Sequence, residues 1–223
     1  MPLVLPKPII YPLTSGTTTS RTTAEDPQLL EILRLLEAAI AAEVPLFQIR
    51  EKSLPARVLF ELTVRAASLT KGTATRLLVN DRVDIAREAG ADGVHLTTTS
   101  LPAAIVREKF GSEFLIGVST HSRDEVRAAQ TGGADFVVFG PVFDTESKRV
   151  FGEPQGLEKF REMTAEAGEF PVVAIGGIAL DNVEETFAAG ASGIAAIRLF
   201  SDAERLASTV DAINRKWKRL TDQ

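Results

Sequence analysis

EAGADGVHL (88–96), TGGADFVVF (131–139) and AAGASGIAA (188–196) are three copies of one pattern, in which a helix closes on glycine, the chain turns tightly and an apolar strand begins. Working outward from them, the same alternation extends almost from end to end. Runs rich in Val and Ile stand at IIYPLT (9–14), LFQIRE (46–51), RLLVND (76–81), GVHLT (93–97), LIGVST (115–120), FVVFGPV (136–142), PVVAIGG (171–177) and GIAAIRL (193–199). Between them, apolar residues recur at i, i+3, i+4 and i+7 over 26–42, 55–70, 82–89, 101–110, 123–131, 157–167, 181–189 and 203–219. Asp26 with Pro27 behind it marks a helix start, and Gly72, Gly90, Gly111, Gly132, Gly168 and Gly190 fall near helix ends.

Strands that are almost continuously apolar must be covered on both faces, which points to a parallel sheet. Eight βα units in 223 residues predict one α/β domain, a (β/α)8 TIM barrel over 1–223, rather than a doubly wound sheet. The three repeated turns then lie at the end of the barrel away from catalysis and are expected to serve stability alone.

Composition narrows the function. Twenty-five basic against 30 acidic residues give a net charge of −5, which argues against partners such as nucleic acid or an anionic membrane. The absence of cysteine removes disulfides, thiolate nucleophiles and Cys-type metal sites, and only two histidines make a His-rich metal centre a poor fit. MPLVLPKPIIYP (1–12) is broken by four prolines and lacks the apolar centre of a secretory signal. No run approaches the ~18 apolar residues of a membrane span, so a cytoplasmic location is expected. Oligomeric state is left open, with room for a homodimer.

Two segments break the rhythm. TSGTTTSRTT (14–23) is polar and without period, and is expected to form a mobile loop; FDTESKRVFGEPQG (143–156) is a long loop on the rim. Both fall at the end where such a barrel keeps its active site, so each reads either as a ligand clamp or as a tolerated insertion.

The polar residues at strand ends are the candidates for chemistry. Period-two alternation places Gln48, Arg50 and Lys52 on the face directed into the barrel or its mouth, with Glu51 opposite. A twice-cationic stripe there calls either for an anionic ligand or for a carboxylate on a neighbouring strand. Asn80 and Asp81 close the third strand, Asp81 being a helix N-cap or a ligand for a hard cation. Ser119 and His121 close the fifth, whereas His95 within the fourth reads as a core histidine. Thr145, Ser147 and Lys148 add hydroxyls and a cation on the sixth loop. Gly176 and Gly177 follow the seventh strand, and Ile197 and Arg198 end the eighth, where this fold often binds phosphate. A local cationic ring in an acidic protein suits small phosphorylated substrates.

These residues resemble the thiamine-phosphate synthase and TenI (thiazole tautomerase) family. QIREK (48–52), LLVNDRVDIA (77–86), ADGVHL (91–96), IGVSTHS (116–122), GADFVVFGPVFDTESK (133–148), PVVAIGGI (171–178) and AGASGIAAI (189–197) stand in family order and cover most of the chain from residue 46. The resemblance implies a (β/α)8 transferase that joins hydroxymethylpyrimidine diphosphate to a thiazole phosphate, losing diphosphate first to leave a pyrimidine methyl cation. It implies that Gln48, Arg50, Lys52, Asn80, Ser119 and Lys148 hold the pyrimidine diphosphate and that Asp81 binds Mg2+ as cofactor. It also implies that Thr145, Ser147, the Gly176-Gly177 turn and the Ile197-Arg198 backbone hold the thiazole phosphate. Lys52, His121 and Lys148 are the candidate catalytic residues.

Two departures stand out. Where the family's synthases carry a second Mg2+-ligating Asp, this chain has Ser100, a much weaker magnesium ligand, and Arg198 replaces a residue that is usually small. The tautomerase branch also lacks that Asp and uses a histidine at the position of His121 as acid/base. Retention of QIREK, VND and TESK favours the synthase, with the tautomerase or a non-catalytic thiazole-phosphate binder as the alternatives.

Overall fold

The computed structural model describes residues 5–144 and 154–222. Its strands and helices alternate: β1 (Ile9–Pro12), α1 (Pro27–Ala41), β2 (Leu46–Ile49), α2 (Ala56–Thr70), β3 (Arg76–Asn80), α3 (Val83–Glu88), β4 (Gly93–Leu96) and α4 (Ala103–Phe110), followed by β5 (Leu115–Thr120), α5 (Arg123–Thr131), β6 (Phe136–Phe139), α6 (Gly156–Ala167), β7 (Val172–Ile175), α7 (Val183–Ala188), β8 (Gly193–Ala196) and α8 (Leu206–Thr221). All strand pairs are parallel, β1 pairs β8, and a bridge between Leu13 and Gln48 joins the remaining edges of β1 and β2. The expected TIM barrel is the observed one.

Alternation along each strand divides the core in two. One set of side chains, among them Phe47, Val79, Ile116, Val137 and Ile194, packs outward against the helices. The other, including Ile9, Leu46, Leu78, Leu115, Phe136 and Val173, fills the barrel itself. Burying each such side chain contributes about 1.5–3 kcal/mol, so the closed interior is a packed core and not a channel. Helix starts follow their sequence signals at α1, where Asp26 accepts from the Gln28 N–H at 3.0 Å with Pro27 just inside, and at α5, capped by Ser122.

The repeated turns lie at the start of the strands, as expected. Asp92 accepts the Leu77 N–H at 2.8 Å and Asp135 the Ile116 N–H at 2.7 Å, so each aspartate ties its turn to the preceding strand. Burial pushes the Asp135 carboxyl up, offset by the Ile116 N–H and by the Arg107 guanidinium 2.7 Å away. The third copy has Ser192 at this place.

The strands are shorter than their apolar runs at the mouth end. β2 stops at Ile49 and β8 at Ala196, which leaves Arg50, Glu51, Ile197 and Arg198 on the rim just past the ladder. Among the described residues no helix is long and apolar enough to cross a membrane.

Candidate active site

Alternation on β2 delivers Gln48 into the barrel, where it is fully buried, and Arg50 half-buried at the mouth. Neither amide atom of Gln48 completes a hydrogen bond among the described residues. Its amide does lie beside the Tyr11 phenol, which burial pushes well above its ordinary value and which Gln48 pulls back a little. Two unpaired polar atoms in a closed interior are costly, about 1–3 kcal/mol each, and leave a donor and an acceptor open at the barrel floor.

The Arg50 N–H donates to Thr14 Oγ1 at 2.8 Å. Burial lowers its guanidinium and neighbouring Glu51 raises it again. No carboxylate among the described residues forms an ion pair with Arg50.

Glu51 has a role that alternation did not reveal. It is almost fully buried and accepts from the Gly16 N–H at 3.0 Å, the Thr18 N–H at 3.2 Å and the Thr18 hydroxyl at 2.6 Å. Three charge-assisted bonds fasten the middle of the 14–23 segment, expected to be mobile, over the end of β2. Thr14, Thr18 and Thr22 are buried with it.

A cavity of about 240 Å³ opens next to this anchor, lined by Glu51, Lys52, Asn80, Asp81, Thr97 and Thr99. Asp81 is not a helix N-cap: α3 is preceded by Arg82 without a side-chain cap. Asp81 instead adopts φ +65°, donates its N–H to the His95 carbonyl at 2.9 Å, and accepts a hydrogen bond from the Ser100 hydroxyl. Ser100 thus stands against Asp81, as the comparison of motifs implied, and is itself held by the Thr97 N–H at 2.8 Å.

Ser119 ends the inward face of β5 and its hydroxyl is hydrogen-bonded to His95 Nε2 at 2.9 Å; the Tyr11 hydroxyl is hydrogen-bonded to His95 Nδ1 at 3.3 Å on the other side. His95 is buried and satisfied, as read from its place in the strand, and burial lowers its imidazole to about 3, with Arg50 adding to the effect. Tyr11, the sole tyrosine, was not singled out by its sequence, although period two places it on the inward face of β1. His121 is exposed, and its Nδ1 donates to the Gly140 carbonyl at 2.5 Å, which leaves Nε2 as the acceptor nitrogen.

Gly176 and Gly177 adopt φ +97° and +65°. A Cβ on Gly177 would lie 2.6 Å from Phe143 Cβ and 2.7 Å from the Asp144 carbonyl, so the sixth loop fills the side-chain space of this turn. Ile197 packs on the inner core, and exposed Arg198 opens a single 3-10 turn, Arg198–Phe200. Thr145, Ser147 and Lys148 lie outside the described residues.

The structure therefore gathers Gln48, Arg50, Lys52, Asn80, Asp81 and Ser119 at the strand ends of one mouth, on β2, β3 and β5. His121, the Gly176-Gly177 turn, Ile197 and Arg198 stand at the same end of later strands.

A family model described as thiamine monophosphate synthase matches residues 21–200. A putative thiamine-phosphate synthase of Geobacter sulfurreducens is 50% identical over 167 residues, 75% of this chain and 78% of the relative. The thiamine-phosphate synthase of Moorella thermoacetica is 43% identical over 165 residues, 74% of this chain and 78% of its own length. Among solved structures, a thiamine phosphate pyrophosphorylase from Pyrococcus furiosus superposes with a TM-score of 0.78 at 29% identity, covering 96% of this chain and 98% of the other.

Proposed function

The chain belongs to the thiamine monophosphate synthase family and is an enzyme of thiamine-phosphate synthesis, and from that premise we propose how its own residues divide the work. The substrates are a pyrimidine diphosphate and a thiazole phosphate, and the products thiamine phosphate and diphosphate. The observation that carries this division is the pairing of Gln48 with Arg50. A buried carboxamide with both atoms unpaired among the described residues sits one layer below a guanidinium that Glu51 influences through space but that no described carboxylate meets in an ion pair. Such a cradle takes a flat heteroaromatic ring at the bottom and an anionic tail at the top.

Arg50 and Lys52 would grip the diphosphate, and Asn80 and Ser119 would orient it. Their fixed charge stabilises the leaving group most as its bond to the pyrimidine methyl carbon breaks. The carbon left behind is an electrophile that water would capture. The packed barrel floor and the 14–23 segment fastened by Glu51 keep that face dry until the thiazole nitrogen attacks. Thr145, Ser147, the main chain at Gly176-Gly177 and Ile197-Arg198 would hold the thiazole phosphate, and Lys148 would join the residues that hold the pyrimidine diphosphate.

The residues present fit Mg2+. Asp81 offers one carboxylate, surrounded by the hydroxyls of Thr97, Thr99 and Ser100, all hard oxygen donors. Among the described residues no group of three or more acidic, His or Cys side chains gathers, which matches an ion that takes most of its oxygens from substrate phosphate and water. Asp81 would hold the ion, which when bound supplies positive charge to the departing diphosphate.

The test is formation of thiamine phosphate from the two precursors by purified protein, with and without Mg2+, beside the variant Arg50→Met. Product from the unaltered chain and a loss of about 100-fold or more in kcat/KM for the variant are expected. An unaltered rate in Arg50→Met would refute the assigned role. His121, whose Nε2 makes no hydrogen bond among the described residues, supports a secondary tautomerase reading. His121→Ala should leave synthesis largely intact and abolish any isomerisation of the thiazole carboxylate phosphate. A cytoplasmic location suits these phosphorylated substrates.

A further inference from the structure

Tyr11, His95 and Ser119 form a line of hydrogen bonds that starts deep in the barrel and ends at the mouth, on β1, β4 and β5. The first two are buried and Ser119 is half-buried. Room for the imidazole is built in by Gly117, directly below Ser119 on the inward face of β5. A Cβ there would lie 2.8 Å from His95 Nδ1 and 2.5 Å from Phe136 Cζ. Phe136 closes the other side, edge-on to Tyr11 with ring centroids 5.5 Å apart and tilted to His95 at 6.1 Å.

We infer that Tyr11 and His95 are positioning residues that fix the Ser119 hydroxyl as a hydrogen-bond donor to the bound pyrimidine diphosphate. The inference rests on the role proposed for Ser119 above. A neutral imidazole offers one donor and one acceptor, so the line can run in two directions. In the first, the phenol donates to Nδ1 and Nε2–H donates to Ser119 Oγ, which turns the serine hydrogen toward the mouth. In the second, Nδ1–H donates to the phenol oxygen, Ser119 donates down to Nε2, and the buried phenol hydrogen is left beside the Gln48 carboxamide without completing a hydrogen bond to any described acceptor.

A buried O–H left without an acceptor is costly, whereas a spare lone pair on the phenol oxygen is tolerated, so the first direction wins. Both interior groups are buried and neither has a carboxylate among its side-chain hydrogen-bond partners, which suits a protonated phenol and a neutral imidazole. A hydroxyl whose lone pair is already engaged by His95 presents its hydrogen outward. That suits a phosphate oxygen or a ring nitrogen, and not a cation.

Two measurements test this. Nitrogen-15 NMR of the ligand-free protein reads the tautomer directly and needs no activity. The expected result is a protonated Nε2 and a bare Nδ1 on His95 between about pH 6 and about pH 8. A protonated Nδ1 would overturn the inference. The second is a double-mutant cycle on kcat/KM with Tyr11→Phe and Ser119→Ala. Tyr11→Phe should lower kcat/KM about three- to tenfold alone and change it by less than about 1.5-fold when Ser119 is already Ala. Full additivity would overturn the inference even with the expected tautomer. If Ser119→Ala alone leaves kcat/KM unchanged while the tautomer is as expected, it is the role of Ser119 in binding that fails. Tyr11→Phe removes one oxygen from a packed ring, and should it not fold, the NMR result alone decides.

Discussion

His95 is buried with its imidazole lowered to about 3, while in the unfolded chain it takes up a proton near 6.5, so acid should weaken the fold through this one side chain. The sign follows from linkage. The folded state resists the proton that the unfolded state accepts, so stability is full above about pH 6.5 and is lost as the pH falls from there toward about 3. At about pH 5 the unfolded chain is favoured roughly 30-fold by protonating this residue, or about 2 kcal/mol, against less than about 0.1 kcal/mol at pH 7.5. The assay is urea unfolding of the unaltered protein and of His95→Gln at both pH values. The unaltered chain should lose about 2 kcal/mol more than the variant over that interval. Comparing the two chains cancels every other titrating group, including Asp135, whose raised carboxyl acts in the opposite direction. Equal pH dependence in both would show that His95 accepts a proton within the fold and would refute its burial as a neutral group.

Glu51→Gln keeps the shape of the loop anchor and removes its charge, and should release residues 14–18, seen as faster hydrogen exchange there with a loss of about 1–3 kcal/mol in local stability. Ser100→Asp places a second carboxylate against Asp81, so half-maximal activity should need about tenfold less Mg2+, read by titrating the metal in the synthesis assay. Gly177→Ala forces a side chain to φ +65° within 2.6 Å of Phe143, and should lower the thermal midpoint by several degrees while raising KM for the thiazole phosphate.

Much of this was legible in the sequence because a parallel barrel writes itself as a repeat. Helices closing on glycine, strands apolar on both faces and the count of eight come from local rules, and each strand appeared where its Val and Ile run stood. The same period of two placed Gln48 and Arg50 inward and marked the residues at strand ends. Resemblance of motifs carried the reaction, since QIREK, VND and the GPVFDTESK stretch are specific where lone residues are not.

What pairing accomplishes was not legible there. Glu51 looked like a residue facing away from the site, yet it clamps a loop 33 residues earlier in the chain. Tyr11 and His95 are 84 residues apart and meet only because β1 and β4 face each other across the barrel. Asp81 could be a cap or a cation ligand by its sequence, and the cap reading falls only because α3 starts behind Arg82. Local propensity and period are properties of neighbouring residues, so the sequence alone determined the elements, their order and the inward faces. Which groups lose water together, and so which tautomer, charge or hydrogen bond survives, depends on side chains brought across the closed sheet, and only the tertiary structure decided that.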